Sequence, residues 1–153
     1  MMRKTTIYTL ALMMALLAVP LGAQAQKNVV EKVLTRQRTK TLKDGSLYKG
    51  DMMLMRPHGR GKRTYTDGTV YQGQIEHGRR QGKGTMTYPN GDKYEGLWHK
   101  NMRHGRGTYH YLDGKRFEGD FVEDIMQGFG TMYYVNGDTY TGLWEDGKRH
   151  GTG

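Results

Sequence analysis

The chain has 153 residues, with 24 Lys and Arg against 15 Asp and Glu, which gives a formal net charge of +9 at pH 7. It has no cysteine, which excludes disulfides, cysteine metal sites and thiol catalysis. Its single serine, Ser46, argues against a Ser-His-Asp active site. The basic balance favours acidic partners such as lipid headgroups or anionic polymers, although solubility alone explains it equally well.

The N-terminus has the pattern of a secretory signal peptide. Arg3 and Lys4 precede an apolar segment, which ends before a small-x-small cleavage sequence at residues 23–25. The alternatives are an N-terminal membrane anchor or a buried helix, but the apolar run is short for a membrane-spanning helix. We therefore predict a signal peptide over residues 1–25, and an exported mature chain, periplasmic or secreted, that could lie peripheral to a membrane.

The segment that follows separates the predicted signal peptide from the main part of the chain. Residues 26–38 are predicted to form a linker or a short capping helix, because the apolar residues of Val29–Leu34 are spaced by three and four. Residues 39–47 match the second half of a degraded repeat.

A 23-residue period organises everything from this point onward. The anchor of the repeat is Tyr-x-Gly, and it begins at Tyr48, Tyr71, Tyr94, Phe117 and Tyr140. A Gly-x-Gly follows each anchor in constant register. A fixed short period without insertions indicates stacked copies of one supersecondary unit. The predicted repeat domain, 39–153, comprises a partial repeat 39–47, repeats 48–70, 71–93, 94–116 and 117–139, and a truncated repeat 140–153 that is expected to stop before its second strand.

Each repeat is predicted to be a pair of antiparallel strands around a turn such as 88–92, Tyr-Pro-Asn-Gly-Asp. Two turns fit: a two-residue type I′ turn, or a three-residue loop with its glycine in the left-handed conformation. Only the three-residue loop places Met86 opposite Tyr94, which gathers the aromatic residues, Met and Gly on one face and charge on the other. Burial favours that register. About six residues, for example 76–81, are expected to join the two strands within a repeat.

Consecutive strands then form an all-β fold, an elongated and twisted single-layer antiparallel meander. A column of glycines leaves slots that aromatic rings can lie over, and glycines within strands mark sharp bending. We therefore expect an aromatic groove on the concave side of the sheet. A partner, a second copy or the Val29–Leu34 segment could cover that groove.

The period and its residues resemble the MORN repeat (membrane occupation and recognition nexus). The match is Tyr-Glu-Gly-x-Trp at 94–98, followed by Gly-x-Gly-Thr-Tyr-x-Tyr-x-Asp-Gly at 105–114. It covers residues 39–153, with departures such as Arg63 in repeat one and Phe117 in repeat four. The resemblance implies a curved antiparallel sheet without enzymatic activity of its own. It also implies roles in scaffolding, oligomerisation or association with membrane lipids.

Two sets of residues are candidates for binding, and each has a plainer interpretation. The aromatic row could be a binding groove or simply the core; it comprises Tyr71, Tyr94, Trp98, Phe117, Phe121, Tyr140 and Trp144. The basic loop row could bind anions or simply be solvated; it comprises Arg56, Arg79, Arg80, Lys100, Arg103, Lys148 and Arg149. Three histidines, His58, His104 and His150, share one repeat position, but sites about 19 Å apart cannot share a metal.

These observations favour a non-enzymatic exported scaffold that binds an envelope protein or itself. One alternative is peripheral binding of anionic membrane lipid through the basic row. The other is an accessory module for a separately encoded envelope enzyme. No cofactor, metal or nucleic acid is expected.

Overall fold

The computed structural model describes residues 36–153, together with the isolated positions 22 and 25. The rest of the predicted signal peptide lies outside the described residues. Of the segment predicted as a linker or capping helix, residues 26–35 also lie outside them, and residues 36–38 form the start of the first strand.

Residues 36–153 form one antiparallel sheet in which every strand pairs with its neighbours in the sequence. The strands are β1 (Arg36–Thr41), β2 (Leu47–Met53), β3 (Arg56–Thr64), β4 (Val70–Glu76), β5 (Arg79–Thr87), β6 (Lys93–His99), β7 (Met102–His110), β8 (Arg116–Val122), β9 (Ile125–Tyr133), β10 (Thr139–Glu145) and β11 (Lys148–His150). The predicted all-β meander is confirmed.

The turn between repeats is the predicted three-residue loop. In one copy the amide of Tyr88 donates to the carbonyl of Asp92 at 2.9 Å, and the amide of Gly91 donates to the carbonyl of Tyr88 at 3.0 Å. Gly91 has φ +93°, a left-handed conformation that glycine adopts without a steric cost. Met86 lies opposite Tyr94, so the predicted register is confirmed.

The connection within a repeat is much shorter than predicted. Strand β4 continues to Glu76 and β5 begins at Arg79, so two residues rather than six join them. The two residues, His77 and Gly78, have φ of 49° and 84°, as both central residues of a type I′ hairpin require. The prediction was wrong because the residues before Gly-x-Gly are charged and resemble a loop, whereas they extend the strand.

In each of the first four repeats, an irregularity in the strand pairing next to the first glycine of Gly-x-Gly accommodates the longer second strand. In repeat two the strand register shifts between Gly73 and Ile75, where Gln74 faces a longer stretch of β5. There Gly82 has φ +63°, and Gln74 Oε1 accepts a hydrogen bond from the amide of Lys83 at 2.8 Å. Such a bulge bends the strand and increases the local twist.

The tips of the second to fifth two-residue hairpins are each hydrogen-bonded to the preceding repeat. The four bonds run from the amide of Gly78 to the carbonyl of Pro57 at 2.8 Å, from Asn101 to Arg80 at 3.1 Å, from Asp124 to Arg103 at 3.0 Å, and from Gly147 to Met126 at 3.0 Å. Consecutive repeats are thereby joined at their tips as well as along their strands, and the tips line up along one edge of the sheet.

Both ends of the repeat array keep the geometry of its middle. Residues 42–46 form the same turn as the later repeats, with the amide of Leu42 donating to the carbonyl of Ser46 at 2.8 Å. Arg63 replaces the usual apolar residue and donates through Nε to Ser46 Oγ at 2.8 Å. Repeat five, which was expected to stop before its second strand, forms a short one, β11, because Lys148–His150 pairs with β10.

Candidate binding surfaces

The aromatic row is the core of the sheet. Tyr71, Tyr94 and Phe117 are fully buried, and Trp98, Phe121 and Trp144 are at most 5% exposed. Their rings form one continuous chain of edge-to-face contacts, such as Tyr94 to Trp98 at 5.2 Å and Phe117 to Trp144 at 5.0 Å. Tyr140 is only partly buried and contacts Trp144 at 5.6 Å. Of the two interpretations of this row, a binding groove or the core, the burial of the rings against one another supports the core.

Each anchor tyrosine lies across a pair of glycines on adjacent strands. Tyr71 covers Gly73 and Gly84, and a Cβ added to Gly84 would come within 2.4 Å of Tyr71 Oη. The hydroxyl then donates to the carbonyl of Gln74 at 2.7 Å. The predicted packing of an aromatic ring over a glycine therefore occurs at the second glycine of each Gly-x-Gly. The first glycine does not lie under the ring and, in the first four repeats, is part of the bulge.

Two arginines of the predicted basic row, which were expected to lie in solvent-exposed loops, instead cover the aromatic core. The guanidinium carbon of Arg80 lies 4.6 Å from the ring centroid of Trp98, and that of Arg103 lies 5.2 Å from Phe121. Arg103 Nε also donates to Asp124 Oδ1 at 3.0 Å. A guanidinium against an aromatic ring is a cation–π contact that shields the ring from water.

The other five residues of the predicted basic loop row are exposed near the hairpin tips. Arg56, Arg79, Lys100 and Lys148 are exposed, and all but Lys100 lie at the start of a strand, not in a loop. Arg149 is exposed as well, with its guanidinium carbon 5.3 Å from the Tyr140 ring. In repeat four the tip is acidic, Glu123-Asp124, so the basic edge is interrupted.

A groove of about 1000 Å³ lies on the opposite, charged face, where sequence reasoning did not expect one. Its lining includes six basic side chains against one carboxylate, that of Glu95. Glu95 is within 2.6 Å of Lys93 Nζ, and this contact is the largest cause of the lowered pKa of Glu95. The groove extends from Gln37 of β1 to Arg106 of β7. We call this surface the charged-face groove.

The charged face changes character along the sheet. Its first repeats carry cations such as Lys49 and Lys62. In repeat four the same face carries Glu118 and Asp120. Beyond them lies an exposed apolar pair, Phe129 opposite Leu143, with 55% and 48% of their surfaces accessible. An anionic ligand would therefore meet the N-terminal repeats.

One histidine, His58, has a structural role on the buried side of the sheet. His58 is 8% exposed, and its Nδ1 accepts a hydrogen bond from the amide of His77 at 3.4 Å. Within residues 36–153, no three histidine or acidic side chains come together as a metal site would require. Within the part of the chain that the structure describes, there is no helix long and apolar enough to cross a bilayer.

The structure is a β-hairpin repeat scaffold. One face of its sheet is covered by its own aromatic rings and arginines, and the other face carries the charged-face groove. The MORN repeat family model matches residues 48–70, 71–93, 94–116, 117–139 and 140–153. The chain therefore belongs to the MORN-repeat family, a non-enzymatic class of repeat whose members are commonly protein- or membrane-interaction modules.

Other comparisons add little to this assignment. No curated protein matches the chain. Among solved structures it is similar to the TCP domain of SAS-4 (dCPAP) from Drosophila melanogaster, in complex with a proline rich motif of Ana2 (dSTIL). That match has 15% identity, covers 70% of this chain and 77% of the other, and has a TM-score of 0.28.

Proposed function

We propose that the chain is an exported, non-enzymatic scaffold that holds a protein partner against its charged-face groove. The observation that carries the proposal is the asymmetry of the sheet. The aromatic face is filled by its own rings and arginines, whereas the charged face has a groove that no described segment covers. A single-layer sheet with one finished face and one open face is suited to hold another molecule.

The export part of the proposal is supported by the basic and apolar start of the sequence and its small-x-small site at 23–25. Expression in a bacterial host followed by cell fractionation tests it. The mature protein should appear outside the cytoplasm with Gln26 as its first residue. A full-length cytoplasmic product beginning at Met1 would contradict export.

Site-specific photo-crosslinking tests the partner surface. Thr85 lines the charged-face groove, whereas Leu112 is 72% exposed at a turn outside it. With p-benzoylphenylalanine in place of Thr85, irradiation of native cells should yield a discrete crosslinked protein that the same substitution at Leu112 does not yield. Crosslinks that are absent from Thr85, or equal at both positions, would refute the groove as the partner surface.

The second candidate is peripheral binding to anionic lipid along the edge of hairpin tips. It is favoured by the exposed cations Arg56, Arg79, Lys100 and Lys148 near that edge. Binding to phosphatidylglycerol vesicles should then weaken with salt and with alanine at these positions. Arg80 is unsuitable for this test because it packs on Trp98, so its loss would disturb the fold.

Two further roles stay open to experiment. Self-association would appear as a concentration-dependent mass in light scattering. Substitution of Trp144 cannot serve as its test, because that ring is 5% exposed and belongs to the core. An accessory role beside an envelope enzyme predicts that the crosslinked partner carries the activity.

A further inference from the structure

Three basic side chains occupy one repeat position on the charged face. Arg60, Lys83 and Arg106 are separated by 23 residues each and lie on β3, β5 and β7. All three are exposed and line the charged-face groove. We call them the cation row.

The cation row is neutralised only in part by the protein itself: the carboxylate of Asp51 lies beside Arg60, where its Oδ2 accepts a hydrogen bond from the Arg60 backbone amide at 2.9 Å. Among residues 36–153, no carboxylate lies within 4 Å of the charged nitrogens of Arg60 or Lys83. Arg106 reaches Asp120 only at 3.9 Å, with both side chains well exposed. Positive charges that line a groove produce a focused positive potential, which attracts an anionic ligand.

The spacing of the row restricts the form of that ligand. Successive members are two strands apart, which corresponds to about 9.6 Å at about 4.8 Å per strand. A polyproline II segment rises about 3.1 Å per residue with three residues per turn, so its one-sided positions repeat about every 9.3 Å. A β-strand repeats its one-sided positions about every 6.8 Å, and one α-helical turn rises about 5.4 Å. The polyproline II repeat fits the row best.

The groove has the length and the neutral donors that such a segment needs. From β1 to β7 it spans six strand spacings, about 29 Å, which about nine polyproline II residues would cover. Gln72 and Gln74 line the same groove. Gln74 Oε1 is engaged by the amide of Lys83, which leaves its Nε2 as a donor for a ligand carbonyl.

We propose that the cation row binds an acidic segment of a partner protein in the polyproline II conformation, with Asp or Glu at every third position. The inference rests on the proposed function and names the chemistry of its partner. A protein segment suits the site better than a bilayer, because a planar surface cannot enter a groove. The residues that line the groove also include no aromatic ring that could insert among lipids.

Fluorescence anisotropy with two labelled peptides of the same composition tests the proposal. One peptide, of about nine to twelve residues, carries Glu at every third position, and the other carries the same glutamates consecutively. Each is titrated with the purified chain, with a variant in which the cation row is neutralised (Arg60→Gln, Lys83→Gln, Arg106→Gln), and with a matched control. The control removes three exposed cations near the hairpin tips (Arg56→Gln, Arg79→Gln, Lys100→Gln), and circular dichroism verifies that all three proteins are folded.

The spaced peptide should bind the unmodified chain and the control. Neutralising the cation row should weaken binding by about tenfold or more, because it removes three charge-assisted contacts. Equal loss in both variants, or equal affinity for the consecutive peptide, would overturn the proposal. So would phosphatidylglycerol vesicles that bind through the cation row while the spaced peptide does not. If Thr85 still crosslinks a protein in that case, the scaffold function stands and only the acidic-segment inference fails.

Discussion

Replacing Tyr94 by phenylalanine removes one hydroxyl, and no carbon atom, from a fully buried position. Tyr94 Oη donates to the carbonyl of Leu97 at 2.9 Å, where the pairing of β6 with β7 is irregular. Tyr48 and Tyr71 make the equivalent bond at 2.7 Å. The substitution therefore isolates the contribution of this hydroxyl from that of the ring.

The expected loss follows from the geometry. A protein hydrogen bond contributes about 0.5–1.5 kcal/mol net, and an unsatisfied buried group costs about 1–3 kcal/mol. Because the ring volume is preserved, no cavity forms, and we expect the free energy of unfolding to fall by about 1–2 kcal/mol. Phe117 occupies the same position in repeat four without a hydroxyl, so Phe117→Tyr should raise the free energy of unfolding by up to about 1 kcal/mol.

Urea unfolding followed by circular dichroism measures both variants, with an unchanged dependence on urea as the sign that the folded and unfolded states are comparable. A Tyr94→Phe protein as stable as the unmodified chain would refute the reasoning. So would a destabilised Phe117→Tyr protein, since it would mean that the slot over the glycine pair has no room for the hydroxyl.

Three further predictions concern the core and the bulges. Leu97→Gln should raise the free energy of unfolding by about 0.5–1 kcal/mol, because glutamine can accept a hydrogen bond from the amide of Arg106, as Gln74 does from the amide of Lys83. An unchanged free energy of unfolding in urea would contradict this. Arg80→Ala should lower stability by about 1–2 kcal/mol and shift tryptophan emission to the red, whereas Arg79→Ala should leave both unchanged; equal effects would mean that Arg80 does not shield the core. Burial raises the pKa of Tyr94 to about 12, so stability should hold below about pH 10 and decline as the pH rises through about 12; phenolate absorbance complete near pH 10 in a folded protein would contradict this.

The strand register could be predicted because two independent signals agree on it. Alternation along 93–98 separates buried from charged residues, and a glycine two residues after Pro89 suits the three-residue loop. A one-residue slip would expose Tyr94 and bury Glu95, which burial forbids. The chain thus specifies its pairing wherever one face is apolar.

The short hairpins and the side of the groove could not be predicted from the same signals. Lys100 and Asn101 have φ of 49° and 76°, so this type I′ turn forms without the glycine that usually reveals it. The bulges next to the Gly-x-Gly glycines bend the strands, and the alternation of apolar and polar residues does not reveal that bending. Arg80 and Arg103 were assigned to loops because sequence spacing does not show that a guanidinium lies over an aromatic ring of the next repeat.

The pairing of every strand with its sequence neighbours has a consequence for kinetics. No strand must wait for a distant segment, so the contact order is low for an all-β protein, and such topologies fold fast. Because each repeat touches only its neighbours, folding can nucleate at any hairpin and spread in both directions. Opening should correspondingly start at β1 and β11 and reach the central strands last, so that the middle of the array keeps its backbone amides from exchange the longest.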